Sequence, residues 1–250
     1  MMPAMMKAAQ RGLSLLLLVA CWQIAASAAA SRLLPPPSDV LDTILRSVAS
    51  GELPLHLAAT LARVAASFAV SMLVGAVIGI ALGRSTLLDR LFDGWLILLL
   101  NLPALVVIIL CYVWFGMVEA AAVLAVSINK IPNVAVIVRE GARALDQDFL
   151  DVAQVYRFGP LRTLRHVVLP QLAPYFLAAA RSGLALIWKI VLVVELLGRS
   201  NGVGFQINLY FQLFDVTAIL AYTFVFIAVV MGIEAGVLQP LDRRVARWRR

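Results

Sequence analysis

The chain has 250 residues, 62% of them hydrophobic and 14% charged, with a mean hydropathy of +0.94. A soluble domain is nearer ~45–50% apolar and ~25% charged, so the composition excludes a sizeable soluble domain and indicates a polytopic membrane protein. The net charge of +7 gathers at Lys7 and Arg11, at Arg139, Arg143, Arg157, Arg162 and Arg165, and at Arg243, Arg244, Arg247, Arg249 and Arg250. That is the positive-inside pattern, and it accounts for the basic pI without a nucleic-acid partner.

The first apolar run spans 12–30 and ends in AASAAAS. Behind Lys7 and Arg11 it resembles a secretory signal peptide, but its length also suits a first span. The reading adopted is an uncleaved helix with its N-terminus in the cytosol. Pro35-Pro36-Pro37 stops it, and Ser38 is placed to cap a short amphipathic helix over 38–50. There Val40, Leu41, Ile44, Leu45 and Val48 share one face, expected at the outer membrane interface or in solvent.

A core of five spans is expected over 56–240. The second span, 56–82, carries Gly75, Gly79 and Gly83 at four-residue spacing, which permits close helix approach. Arg84, Asp89, Arg90 and Asp93 read as a cytosolic turn. The third, 95–115, contains Asn101 and Pro103 and should be broken, which membranes tolerate only against protein or a cavity. The fourth, 120–138, holds Asn129, Lys130, Pro132 and Asn133; the fifth, 175–197, holds Arg181, Lys189 and Glu195. The run GRSNGVG over 198–204 has too many breakers for a helix, and a sixth span follows over 217–238. The fold expected is all-α, a single domain over 1–250 with about six transmembrane helices and both termini in the cytosol.

Charge inside a span is costly, roughly 2.5–3.5 kcal/mol per residue at a helix centre. Lys130 and Lys189 are therefore candidates for a translocation path that attracts an anionic solute, with Asn101, Asn129 and Asn133 as polar neighbours. The alternatives are that Arg181 or Lys189 pairs with Glu195, or that these cations reach an interface. Asn101, Asn129 and Asn133 are equally suited to hydrogen-bonding between helices. Cys21 and Cys111 lie apart in apolar runs and have no metal or redox spacing. No phosphate-binding loop, carboxylate pair, catalytic triad or zinc spacing stands out, so no enzymatic site is expected.

The longest cytosolic-looking run is 151–170, DVAQVYRFGPLRTLRHVVLP. It reads as two short amphipathic helices broken at Gly159-Pro160, where Gly suits an N-cap and Pro the first helical position. Phe149, Leu150, Ala153 and Tyr156 should share the first apolar face, and Leu161, Leu164, Val167 and Val168 the second. The run could also be a plain interfacial helix resting on headgroups.

This run resembles the EAA loop of permease subunits of binding-protein-dependent ABC importers. That pattern is E-A-A, three residues, G, nine residues, an aliphatic residue, one residue and L-P. Asp151, Val152 and Ala153 stand at E-A-A, Val167 at the aliphatic position and Leu169-Pro170 at L-P. Arg157 occupies the glycine position, with Gly159 expected to supply the turn instead. The order of spans, ELLGRSNGVGF and the arginine-rich end resemble the nitrate, sulfonate, taurine and bicarbonate branch of these permeases.

The resemblance implies a multi-pass permease of the bacterial inner membrane that carries a small anionic solute. Its coupling helix, between the fourth and fifth spans within the loop 141–170, would dock on a cytosolic ABC ATPase present in two copies. Asp151, Val152, Ala153, Arg157, Phe158, Gly159, Leu169 and Pro170 are the docking candidates. The chain itself would hold no cofactor; ATP and Mg would sit on the ATPase. Further partners would be a second permease chain, an identical one before a divergent one, a periplasmic or lipid-anchored substrate-binding protein, and membrane lipid. The rival readings are an ion-coupled secondary transporter, for which Glu195 is the acidic candidate, and a non-transporting scaffold subunit.

Overall fold

The structure, a computed structural model, describes residues 2–29, 31, 33–238 and 240. The tail arginines Arg243, Arg244, Arg247, Arg249 and Arg250 lie outside them, as do the side chains of Lys7 and Arg11. The described residues form α1 (Met2–Ala29), α2 (Pro37–Ala49), α3 (Glu52–Arg84), α4 (Thr86–Asn101), α5 (Ala104–Phe115), α6 (Glu119–Arg143), α7 (Gln147–Val155), α8 (Pro160–Thr163), α9 (Leu169–Gly198), α10 (Val203–Gln212) and α11 (Val216–Ile233). A π-helical turn, Leu164–Val168, runs α8 into α9, and a second, Glu234–Leu238, extends α11.

Among the described residues four helices are long and apolar enough to cross a membrane: Glu52–Arg84, Glu119–Arg143, Pro160–Gly198 and Val216–Gly236. The pair α4 and α5 makes a fifth crossing if taken together, bent by 95°. The bend has a local cause. Pro103 has no N–H to continue the ladder and drives Leu102 to an extended backbone, φ −68° and ψ 126°. Asn101 turns its amide back onto the Ile97 carbonyl at 2.7 Å. In α1 the apolar part is Leu16–Ala29, shorter than the roughly 20 residues of a full crossing.

The cytosolic turn expected around 84–93 is a helix from Thr86 onward, with only Ser85 as the break. The Ser85 hydroxyl accepts from Leu88 N–H, an N-cap that starts α4 early. Asp89 and Asp93 then lie on Arg139 of α6, at 3.2 and 2.6 Å, and Asp89 also pairs with Arg143. These acids tie two helices instead of marking a loop.

The centre of the bundle is α3 against α6. Arg63 meets Glu119, Gly75 meets Ile131 and Val134, Gly79 meets Ala135 and Val138, and Gly83 meets Arg139 and Ala142. The pairings advance together, so both helices run in the same direction. Ser67, Ser71, Gly75, Gly79 and Gly83 form one ridge of small residues at four-residue spacing, which lets the backbones close in. The contact is tight: a methyl added at Gly79 would sit 2.6 Å from the Ala135 carbonyl oxygen. Helix α9 packs on α6 in the opposite sense. Glu195 lies by Arg63, Gly183 by Lys130, Ala179 by Val134 and Val138, and Leu172 by Ala142.

This packing makes Gly79→Val destabilising by about 1–3 kcal/mol, the usual cost of overpacking. Gly94, with open space around its Cβ direction, should accept alanine with no loss, since glycine is the poorer helix former. Thermal unfolding of the two purified variants in one detergent checks the contrast.

Candidate functional site

One end of the bundle carries the EAA-like segment. Asp146 starts α7 by accepting from Asp148 N–H at 2.9 Å, and its own N–H donates to Gln171 Oε1 of α9 at 2.9 Å. Ala153 is buried, and Leu150 packs on a small core of Ala142, Leu145, Val168 and Leu172. The rest of the helix faces outward. Phe149, Val152, Val155 and Tyr156 are exposed, as is Leu161 after the turn, with Val155 at 79% and Leu161 at 77%. The face expected to hold Phe149, Leu150, Ala153 and Tyr156 together is therefore divided. Two of these residues anchor the helix and two are displayed.

The turn between α7 and α8 sits at Arg157. Its φ is +52°, the left-handed region. Phe158 N–H donates to the Ala153 carbonyl at 2.8 Å and Arg157 N–H to Gln154 at 2.9 Å, the paired bonds of a Schellman cap. Such a cap favours glycine at the position Arg157 occupies. Gly159, expected to supply this turn, has φ −66° and acts as the N-cap ahead of Pro160. Arg162 crosses back over the Phe158 ring at 4.3 Å. Asp151, Gly159, Leu169 and Pro170 are exposed on the same segment.

Between α9 and α11 lies a cleft of about 810 Å³, lined in part by Arg181, Ser182, Trp188, Lys189, Thr223 and Glu234. Lys189 is exposed on its wall. Lys130 is 1% exposed, and its ammonium donates to Asn133 Oδ1 at 2.9 Å while its stem lies over Gly183. The Ser182 hydroxyl donates to the same Asn133 oxygen at 3.4 Å, so this polar node borders the cleft through Ser182. Asn129 bonds the Ala125 carbonyl of its own helix, and Asn101 lies apart at the α4–α5 bend.

The opposite end of the bundle holds a buried polar cluster that the sequence reading missed. Arg63 is 4% exposed and Glu195 is fully buried. Arg63 Nη1 donates to Glu195 Oε1 at 2.6 Å and to the Asn201 carbonyl at 2.9 Å, and Nη2 also reaches Asn201 Oδ1. Its Nε and Nη2 take the two Glu119 oxygens at 2.8 and 2.7 Å, a bidentate fork. Arg199 joins Glu119 from the other side at 2.6 Å. The partner of Glu195 is thus Arg63, not Arg181 or Lys189. Truncating one member of such a buried pair costs about 3–5 kcal/mol, because the other charge is stranded. The missed signal was an arginine inside an apolar run, which demands a carboxylate elsewhere in the chain.

Three backbone N–H groups at the start of α10 end in the same cluster. Gly202 donates to His56 Nδ1 at 3.0 Å, Val203 to the Thr60 hydroxyl at 2.8 Å, and Gly204 to Glu195 Oε2 at 2.9 Å. The Thr60 hydroxyl donates to Glu195 Oε2 at 2.9 Å. The breaker-rich run thus supplies a four-residue connection, after which Val203 begins a helix the sequence pattern did not show. Cys21 and Cys111 are both free thiols. Among the described residues no group of His, Cys, Asp or Glu has metal-binding geometry.

Comparison with known proteins bears on this arrangement. Residues 71–238 match the family described as binding-protein-dependent transport system inner membrane component. The chain is 30% identical over 234 residues to the Bacillus subtilis (strain 168) protein named as an aliphatic sulfonates transport permease, SsuC, covering 93% of this chain and 84% of that one. It is 28% identical over 238 residues to the taurine transport system permease protein TauC of Escherichia coli (strain K12), covering 93% and 86%. Its fold is similar to a crystal structure of an amino acid ABC transporter with histidines, at TM-score 0.64 and 20% identity, covering 80% of this chain and 98% of that one.

Arg157→Gly should slow hydrogen exchange at the end of α7 by two- to fivefold. The expected gain is about 0.5–1 kcal/mol, the left-handed penalty of ~1–2 kcal/mol less the entropy cost of glycine. Gly159→Ala, with an ordinary φ and open space at its Cβ direction, should leave exchange unchanged. Exchange mass spectrometry of the two variants reads both.

Proposed function

We propose, for a chain that belongs to the binding-protein-dependent transport system inner membrane component family, that α7 is the element through which ATP hydrolysis on a partner drives this bundle. The protein is a permease subunit of an ABC importer and an inner-membrane component. The observation that carries the docking reading is the displayed apolar face of α7 and α8. Phe149, Val152, Val155, Tyr156 and Leu161 are all exposed on a short segment at the basic end of the bundle. A groove on a cytosolic ATPase would cover them, while Leu150 and Ala153 transmit its movement to α6 and α9. Asp151, Arg157, Phe158, Gly159, Leu169 and Pro170 border that face. Two ATPase subunits, each holding ATP and Mg, would drive a pair of permease chains, identical ones in the simplest assembly.

The path we infer runs along the α9–α11 cleft. Exposed charge at mid-helix is poorly tolerated against acyl chains, so the wall carrying Lys189 is better placed toward water or a second permease chain. Lys189 would attract an anionic solute and Ser182 would border the path, with the Lys130–Asn133 node behind it. Asn129 and Asn101, each bonded to its own helix, would contribute less. The sulfonate and taurine permeases among the relatives support a small sulfonate-like anion as the solute, delivered by a binding protein at the end that holds Arg63. The clustered basic residues support cytosolic termini. The secondary-transporter reading loses its acid, since Glu195 is held by Arg63, Thr60 and Gly204.

Val155→Asp and Leu161→Asp should each lower the amount of ATPase subunit co-purifying with the tagged chain at least tenfold, without loss of the chain from the membrane. Undiminished co-purification would remove α7–α8 as the docking site. In proteoliposomes holding the purified complex and its binding protein, Lys189→Met should lower uptake of labelled taurine or ethanesulfonate at least fivefold and leave ATPase assembly intact. Unchanged uptake would move the path off this cleft.

A further inference from the structure

We propose that Thr60, Arg63 and Glu195 are positioning residues for transport: they lock the first turn of α10 to α3 and α9, and through α10 they set the spacing of the two cleft walls, α9 and α11. The first half of this statement stands on geometry alone. The second rests on the reading of the α9–α11 cleft as the path.

Helix α10 has no side-chain cap of its own. Its N-cap is Gly202, with φ +112°. The first N–H groups of a helix have no partner within it. Here those of Gly202, Val203 and Gly204 are taken by His56, Thr60 and Glu195, two from α3 and one from α9. A side chain at Gly202 would run into the Glu195 carboxyl group, so the connection is built to lie against that acid. Arg63 completes the cluster by holding Glu195 and Asn201 with one nitrogen and Glu119 of α6 with the others. Two arginines, Arg63 and Arg199, face two glutamates, so the cluster is electrically balanced and has no reason to open.

The other side of α10 leads to the cleft. Tyr210 packs on Tyr222 of α11 with ring centroids 5.6 Å apart and the planes tilted by 46°. Tyr222 is next to Thr223 and one turn before Phe226, both of which line the cleft. Trp188 of α9 meets Phe226 edge-on at 5.9 Å across it. Helix α10 is therefore a second link between the two walls, beside the Trp188–Phe226 contact, and its anchor is on α3 and α9. With the anchor intact, α3, α6, α9 and the start of α10 move as one body. With it loosened, α11 drifts relative to α9 and the cleft loses its shape. The docking segment is unaffected, because Arg63 is 21 residues from the far end of α3 at Arg84, about 32 Å along the helix.

The test uses Thr60→Val, which removes the hydroxyl at nearly constant volume, Thr60→Ser, which restores it, and Arg63→Lys, which keeps the charge without the fork. Each chain is purified with its ATPase and reconstituted with its binding protein. Hydrogen exchange at Val203 and Gly204 should quicken at least tenfold in Thr60→Val and stay near wild type in Thr60→Ser. Uptake of taurine or ethanesulfonate should fall at least fivefold in Thr60→Val and Arg63→Lys, while ATP turnover stays within twofold, and Thr60→Ser should keep at least half of wild-type uptake. Unchanged exchange in Thr60→Val overturns the anchor. Faster exchange with full uptake overturns its role in transport. A Thr60→Val chain that no longer assembles with the ATPase makes the cluster a folding element and overturns the proposal as well. If the wild-type complex takes up neither probe, the exchange result still judges the anchor, and the failure belongs to the functional reading.

Discussion

A guanidinium buried in a helix bundle has to be matched, and most of this fold follows from how Arg63 is matched. Its desolvation is offset only by excellent geometry and complete hydrogen bonding. Planar fork donors supply that geometry toward two carboxylates and a carbonyl at once, which a lysine ammonium could not reproduce. Because the acceptors come from α6, α9 and the connection to α10, satisfying one side chain brings four chain segments to one point. The residues between those points are then held in register.

From that point the small-residue ridge carries the register inward. Gly75, Gly79 and Gly83 admit the α6 backbone so closely that a side chain at any of them would run into Val134, Ala135, Val138 or Ala142. The ion cluster sets the rotation and height of α3 against α6, and the ridge enforces it across the bundle. At the other end the Asp89–Arg139–Asp93 pairs attach α4 to α6. Between those attachments α4 and α5 bend by 95°. The bundle therefore has a stiff part, α3 with α6 and α9, and a broken pair held at both ends, α4 by Arg139 and α5 by its buried Ile108 and Cys111 and by the Tyr112 hydroxyl, which donates to the Val194 carbonyl of α9. On the proposed docking, α7 would push on the stiff part through Leu150 and Ala153.

Four of the expected spans, and a fifth if α4 and α5 are taken together, were legible because long apolar runs separated by charge have one meaning in a membrane protein. The proline break at Leu102-Pro103 was legible for an equally local reason. The break between the two short helices of 147–163 is legible at Gly159-Pro160, but the left-handed turn at Arg157 is not. A left-handed φ belongs to a backbone position, and Arg157 holds the one that favours glycine, while Gly159, with φ −66°, only starts a helix. The faces of α7 were misassigned because periodicity shows which residues share a side, not which side a neighbour covers. Arg63 sits within the apolar run 56–82, and the sequence offers Arg181 or Lys189 only as alternative partners for Glu195, with Lys189 six residues away on another face of the helix. The true partner lies 132 residues away, and no periodic pattern reports a contact of that kind. Helix α10 was hidden for the same reason, since its start is capped by residues of α3 and α9.

The two intramembrane lysines meet the cost of their charge in opposite ways, and this separates their parts in a path. Lys130 is covered. Its stem fills the space where Gly183 lacks a side chain, and a Cβ there would come within 2.8 Å of Lys130 Cε. Its ammonium rests on Asn133, three residues away on the same helix. A solute could not reach it without moving α9. Lys189 is open on the cleft wall, nine residues before the end of α9 at Gly198 and within reach of any anion in the cleft. A cation under the helix and a cation on its surface still act on the same space, because a low-dielectric wall screens neither strongly. On the proposed path Lys189 supplies contact, and Lys130 supplies a fixed positive potential behind Ser182 that persists whether or not a solute is bound.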